Sequence, residues 1–277
     1  MTIQLESSTE PLDAAGPDAG RPGAASPELA SPELASLELA SPDREWNEPS
    51  GIGARGTLIV AVGRGEIGDV YQRFGSRIAS DAYRVRTVSA AASDPAAART
   101  RIAELLADDS LPSPKVLVGS DSGAALALEL AAEGAPVDAL VLAGLPTVQP
   151  VAAPAGDGEW AHELDARTAC PNHQGVLGRT VQAGAIWQQF PASLLEVVAS
   201  GLTVPVLAVH GGADSISPLT GARAVYESIP RHEIAVVAGG RHDILNDITH
   251  RSVAATIVLF LERLRLDPDA APIVESL

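Results

Sequence analysis

Apolar and polar positions divide this chain into two unlike parts. From Gly56 onward, short runs rich in β-branched residues alternate with stretches of helical periodicity. The runs predict strands at Thr57 to Val62, Tyr83 to Val88, Lys115 to Gly119, Asp138 to Ala143, Pro205 to His210 and Glu233 to Val237. Helices are predicted between and after them, near Asp69 to Ser80, Pro95 to Asp108, Ser122 to Glu133, Leu219 to Ser228 and His250 to Leu264. Strands apolar on both faces and separated by helices specify a mostly parallel sheet of about six strands, covered by helices on both sides. The fold class is therefore α/β. One interval breaks the alternation: residues 146–203 offer no clear strand, and an insertion of that length in a compact domain is usually functional or a lid.

Residues 1–55 follow a different rule. They are rich in Pro, Ala, Ser, Glu and Asp, and a short unit recurs as Ser26-Pro27-Glu28-Leu29-Ala30, as Ser31 to Ala35, and as a variant from Ser36 to Ala40. Proline interrupts helices, and too few large apolar residues are present to offset the entropy of ordering. A disordered acidic tail is expected, or alternatively a docking segment for a partner. The domain then spans residues 56–265, with a short C-terminal tail at 266–277.

Composition narrows the function. The chain has 277 residues, 46% of them hydrophobic, enough for one sizeable core. A net charge of −16 argues against nucleic acid and anionic membrane surfaces as partners. The single cysteine, Cys170, excludes an intrachain disulfide and a cysteine-rich zinc site. No basic-then-apolar leader and no spanning apolar run is visible, so a cytoplasmic location is the default expectation. The preference for arginine and alanine, with Lys115 the only lysine, suits a GC-rich bacterial genome.

Three segments carry chemistry. Lys115-Val116-Leu117-Val118-Gly119-Ser120-Asp121-Ser122-Gly123 is a strand entering a Gly-x-Asp-x-Gly turn that opens a helix. This is the pattern of a nucleophile elbow with aspartate at its tip. Residues two before and two after the tip crowd it, which Gly119 and Gly123 relieve. The helix N-terminus favours an anion there, so Asp121 should stay ionised. Taken alone, the segment reads equally well as an ordinary turn with an Asp cap. The second segment runs from Val204 along a buried strand into His210-Gly211-Gly212-Ala213-Asp214, and the third ends a strand in Gly239-Gly240-Arg241-His242. Ligands of open α/β sheets bind beyond the carboxyl ends of the strands. Asp121, Asp214 and His242 all fall on that edge, in the chain order nucleophile, acid, base. Ser120 and Ser122 stand one place off the tip and point away from it.

From about Gly56 to Leu264 the chain resembles the α/β-hydrolase superfamily, and is most similar to its monoacylglycerol lipase and lysophospholipase branch. The resemblance lies in Gly63-Arg64-Gly65-Glu66 with Val70 to Phe74, in His210 to Pro218, and in Arg241-His242-Asp243-Ile244-Leu245-Asn246-Asp247. It implies that His242 is the catalytic base, that Asp214 orients it, that the backbone amides of Arg64 and Ser122 form an oxyanion hole, and that residues 146–203 are the lid. Two positions depart from the branch: Asp121 replaces the serine of the elbow, and Val62 replaces a histidine often found before the oxyanion loop. A carboxylate attacks saturated carbon productively, giving an alkyl ester that His242 and water can hydrolyse. Against a carboxylic ester it gives a mixed anhydride that reverts. The reading is a cofactor-independent hydrolase for a small or medium apolar molecule, with an epoxide or alkyl halide as the reacting type. The alternatives are a lipase-like ester hydrolase and a non-catalytic binding protein. Ser122 stands where dehalogenases commonly carry a halide-binding tryptophan, and no tyrosine lies in the insertion to serve an epoxide.

Trp160, His173 and Trp187 are candidates to line the pocket. Cys170 and His173 make too sparse a set for a metal. Gly63, Gly65 and Gly68 lack the acidic ribose partner of a dinucleotide site. No cofactor is expected. The Arg64 side chain is expected to face solvent or to bind an anionic group of the substrate.

Overall fold

A computed structural model describes residues 43–150, 159–269 and 271–274. Most of the expected N-terminal tail, including its repeats, lies outside the described residues, as does 151–158 of the expected lid. In chain order the elements are β1 (Glu45–Trp46), β2 (Thr57–Ala61), α1 (Gln72–Ser80), β3 (Arg84–Val88), α2 (Pro95–Ala107), β4 (Lys115–Ser120), α3 (Ser122–Ala132) and β5 (Ala139–Ala143). Then come α4 (Glu159–Arg167), α5 (Pro171–Thr180), β6 (Val206–Gly211), α6 (Leu219–Ser228), β7 (His232–Val237) and α7 (His250–Leu266). The strands form one sheet in the order β1-β3-β2-β4-β5-β6-β7. All neighbours pair in parallel except β1, which runs antiparallel to β3.

Alternation along the strands builds two apolar layers. Ile59, Ala61, Leu117, Leu140, Leu142 and Ala208 face α2, α3 and α6 through Ile102, Leu105, Leu126 and Tyr226. Leu58, Val60, Val116, Val118, Val141 and Val209 face α1 and α7 through Phe74, Ile78, Ile257 and Phe260. Both faces of the central strands are dry, which is why their sequences read as continuous apolar runs. The parallel pairing sends the loops after β2, β4, β6 and β7 to one edge.

The sheet has seven strands among the described residues, not about six, because part of the expected tail belongs to the domain. Residues 43–55 pack on it. Trp46 lies directly over Gly75 of α1, where any added Cβ would meet the indole ring at 2.3 Å. Arg84 holds Glu48 through two nitrogens, and Arg44 pairs with Asp69. Such a short edge strand surrounded by Pro, Glu and Asp carries almost no periodic signal, which is why composition hid it. At the other end, α7 runs to Leu266, and Arg231 extends the contact by binding the Pro268 carbonyl and Asp269.

The insertion contains α4, α5 and short 3₁₀ turns at Ala185–Trp187, Ala192–Leu195 and Ala199–Gly201, with no strand among its described residues. No described helix is long and apolar enough to cross a membrane. If residues 43–55 are part of the cooperative unit, Trp46→Ala should lower unfolding free energy by about 2 kcal/mol, a half-buried version of a core aromatic truncation. Urea denaturation checks this, and an unchanged midpoint would return the segment to the tail.

Candidate active site

Asp121 occupies the tip of the β4–α3 turn at φ 50°, ψ −122°, a conformation that costs a non-glycine residue of order 1–3 kcal/mol. The flanking glycines are there for space. A Cβ on Gly119 would come 2.3 Å from the Ala124 Cα, and one on Gly123 would come 2.0 Å from the Ala61 carbonyl oxygen. The turn lifts the Asp121 carboxylate off the sheet edge toward the loop after β2 and the loop after β7.

The three expected residues meet. His242 Nδ1 lies 2.9 Å from Asp214 Oδ2, and its Nε2 lies 3.3 Å from Asp121 Oδ1. The first contact is an aligned hydrogen bond, whereas Nε2 is close enough for ion pairing but is off the hydrogen-bond direction. The other oxygen of Asp214 accepts from the Ile216 and Ser217 amides, which fixes the carboxylate. His210 packs behind it: its Nε2 donates to the Ser217 carbonyl and its Nδ1 accepts from the Tyr226 hydroxyl. Burial lowers the affinity of His210 for a proton, more than the nearby Asp214 raises it.

Arg64 supplies more than an amide. Its backbone N–H donates to Asp121 Oδ2 at 3.0 Å, the position expected of an oxyanion-hole donor. Its side chain, expected to face solvent or a substrate anion, instead turns inward and is 3% exposed. Nε donates to Asp121 Oδ2 at 2.7 Å and Nη2 to Oδ1 at 2.6 Å, a fork on the carboxylate. Nη1 donates to the Gln188 carbonyl, and the guanidinium lies 4.9 Å from the centre of the Phe190 ring. The physical reason is the aspartate itself. A carboxylate in a dry site must be paired, and breaking such a pair typically costs 3–5 kcal/mol. Ser122 follows at the first turn of α3 with its hydroxyl buried and unpartnered among the described residues, so it does not share the tip of the elbow.

These charges set the protonation states. Burial alone would raise the Asp121 carboxyl, but the charge and hydrogen bonds of Arg64 outweigh it and hold the group well below the ordinary range. Burial alone would lower His242, but Asp214 and Asp121 on either side raise it to about 10. The resting site is therefore an imidazolium between two carboxylates, with a guanidinium over one of them.

A second buried cluster lies beside the first and was not visible in the sequence. Arg167, at the end of α4 in the insertion, is fully buried. Its Nη2 donates to the Arg64 carbonyl at 2.8 Å, and its Nη1 reaches Glu66 Oε1 at 3.0 Å and Asp243 Oδ2 at 3.3 Å. Its Nε reaches Glu163 Oε1 at 3.2 Å, and the other oxygen of Glu163 accepts from the Gly184 amide. His173 joins through Asp243 at 3.1 Å. Carboxylates outnumber the guanidinium here. Burial and the charge of Asp243 accordingly raise Glu66, while Arg167 keeps Asp243 below its ordinary value against the effect of burial. Glu66, His173 and Asp243 offer ligand atoms within 4.8 Å of one another, but Arg167 already fills the place a cation would take.

The pocket candidates fall elsewhere than expected. His173 belongs to the Arg167 cluster. Trp187 stacks on His162 with ring centres 6.2 Å apart, and Trp160 packs against the apolar layer under α1 and α7. A cavity of about 300 Å³ opens beside Arg64, with Gly63, Ser89, Ser93, Gln188 and Gln189 in its wall. None of the three is among its lining residues, because their rings are used to pack the insertion.

Comparison with known proteins agrees with this geometry at the level of fold. The family described as serine aminopeptidase, S33, matches residues 161–249, the part of the chain holding Asp214 and His242. No curated protein sequence matches the chain. A soluble variant of monoglyceride lipase from Saccharomyces cerevisiae, in complex with a substrate analogue, superimposes with a TM-score of 0.65 at 14% identity, covering 80% of this chain and 91% of that one. Monoacylglycerol lipase from Paleococcus ferrophilus gives 0.62 at 16%, covering 81% and 98%. An esterase from Rhodococcus sp. gives 0.58 at 17%, covering 81% and 100%. The chain has the α/β-hydrolase fold, as the resemblance implied.

Two outcomes follow from the charges. Arg167→Met should cost about 3–5 kcal/mol in urea denaturation at pH 7, since it strands several buried carboxylates; a change below about 1 kcal/mol would mean that they are satisfied without it. The folded-state value of His242 lies above the ordinary 6.5. Its protonation therefore favours the fold fully below pH 6.5, and that contribution is lost as the pH rises through about 10. Asp121 works in the opposite sense, stabilising above pH 3.8 and losing its effect as the pH falls. The His242 imidazole resonance should remain in its charged form at pH 8 and move to lower midpoints in Asp121→Asn. A midpoint near 6.5 in both proteins would contradict the ion pairing.

Proposed function

We propose that this protein is a cofactor-independent hydrolase in which Asp121 is the covalent nucleophile, His242 the base and Asp214 its orienting acid. The observation that carries the reading is the Asp121 carboxyl group at the tip of a strained elbow, 3.3 Å from the Nε2 of a histidine anchored by Asp214. Strain of this kind is kept where surrounding structure imposes it, commonly at functional sites. The lipases and esterases that share the fold lend the general class, hydrolysis of a small organic molecule, to this chain.

The aspartate directs the chemistry to electrophilic carbon. Asp121 Oδ1 attacks, a carbon–oxygen bond forms, and the leaving group departs with its electron pair, as from an alkyl halide or an opening epoxide. Esterification removes the anion that faces His242 Nε2. The imidazolium then loses one of the two charges that raised it to about 10, gives its Nε2 proton to the opened epoxide oxygen or, after departure of a halide, to solvent, and as neutral imidazole can accept a proton from water. Water adds to the aspartyl carbonyl, the oxyanion forms against the Arg64 amide and, as the resemblance implies, that of Ser122, and collapse returns the carboxylate and an alcohol. A carboxylic ester substrate would give an anhydride instead, so the lipase-like alternative is the weaker one.

One observation favours a second reading. Both oxygens of Asp121 are held by Arg64, as in a site that binds without reacting. The two readings separate in His242→Gln. Incubated with epoxides, alkyl halides and activated esters, this variant should accumulate an alkyl ester mapped to Asp121 by intact mass and peptide analysis. Asp121→Ala should form none and should reduce turnover by at least about 10³-fold. Absence of any adduct, with an inactive parent protein, would favour the binding reading.

A further inference from the structure

A nucleophile cannot use lone pairs that are already donated to a guanidinium. Arg64 closes Asp121 on both oxygens, and its side chain is 3% exposed. A neutral substrate offers the fork nothing in exchange, so drawing Arg64 away from Asp121 for such a molecule would leave a bare cation in a dry site. A substrate that carries its own carboxylate removes this obstacle. The planar fork binds one carboxylate as well as another, and only the partner changes.

The surroundings of Arg64 suit the exchange. It stands in the wall of the cavity of about 300 Å³, between that space and Asp121, and it is the only cationic residue among those lining it. Gln188 and Gln189 line the same cavity, and the Gln188 carbonyl holds Nη1, the one guanidinium nitrogen of the three not committed to Asp121. Glu66, also in the wall, is turned to the Gly63 amide, Tyr71 and Arg167. The two contacts of Arg64 with Asp121 are also separable. If the side chain leaves, Oδ2 keeps the backbone amide of the same residue at 3.0 Å, and Oδ1 remains 3.3 Å from His242. Asp121 is then still anchored, and Oδ1, close to His242 Nε2 but off its hydrogen-bond direction, accepts no hydrogen bond.

We propose that the cavity beside Arg64 binds small organic acids, whose carboxylate takes the Arg64 fork in place of Asp121 and so releases the nucleophile. This deepens the hydrolase reading and rests on it for the reacting step, but the binding exchange can be tested without turnover. Substrate and nucleophile compete for one guanidinium, so the resident carboxylate weakens the visitor.

Titration calorimetry with hexanoate and with 1-hexanol tests the exchange. Hexanoate should bind at least about tenfold more tightly than the alcohol. Asp121→Asn, which removes the competing charge, should tighten hexanoate at least about tenfold and leave hexanol unchanged. Arg64→Lys keeps the charge but loses the fork, and should weaken hexanoate at least about fivefold; it serves equally if Asp121→Asn folds poorly. Equal binding of acid and alcohol, no binding of either, or Asp121→Asn without tightening would overturn the proposal. The outcome is distinct from that of the covalent reading. Adducts from neutral electrophiles without any preference for acids would remove the exchange and leave the nucleophile. Tightened acid binding without adducts from any ω-bromocarboxylate would remove the nucleophile and leave the anion site.

Discussion

The ion pair between Asp121 and Arg64 is the contact to which the rest of the site is fitted. Putting a carboxylate at the tip of a buried elbow creates a charge that water cannot reach, and the loop after β2 answers it twice, with the Arg64 amide and with its guanidinium. Without that answer burial would push the carboxyl toward its neutral form, and an aspartic acid is no nucleophile. With it, the carboxylate is ionised but occupied. The site as it stands is charged, neutralised and closed, and its chemistry depends on what can take Arg64 away.

Arg64 is held in its turn by the insertion. Arg167 binds the Arg64 carbonyl and spans Glu66 on the loop after β2, Asp243 beside His242, and Glu163 on its own helix. Glu163 passes the connection on to the backbone at Gly184. One buried guanidinium thus ties the described part of the insertion to two of the loops that build the site. An insertion fastened this way cannot shift far without disturbing the residues on either side of Asp121, so the position of α4 and the setting of the loop after β2 are mechanically linked.

Much of this was legible in the sequence because it follows from local pattern. Apolar runs marked the central strands, and Gly119 and Gly123 marked a turn too tight for side chains. The chain order placed Asp121, Asp214 and His242 at three strand ends, and in the structure His242 lies 2.9 Å from Asp214 and 3.3 Å from Asp121. What escaped depends on partners far apart in the chain. The inward turn of Arg64 is decided by a carboxylate across the loop, and the burial of Arg167 by residues on three separate elements, so each looks like an ordinary surface cation in its own neighbourhood. Strand β1 was hidden differently, since its two residues are ordered by the Trp46–Gly75 and Arg84–Glu48 contacts and not by any periodicity of their own.

Covalent catalysis requires that Asp121 take part in bond making. The most direct measurement is a single turnover of a short ω-bromocarboxylate in ¹⁸O-enriched water, followed by mass analysis of the product and of the peptide containing Asp121. Covalent catalysis predicts a gain of about 2 Da on that peptide and an unlabelled hydroxy acid, because the first product oxygen comes from the carboxylate. Label found only in the hydroxy acid, or no turnover of any member of the series, would contradict it.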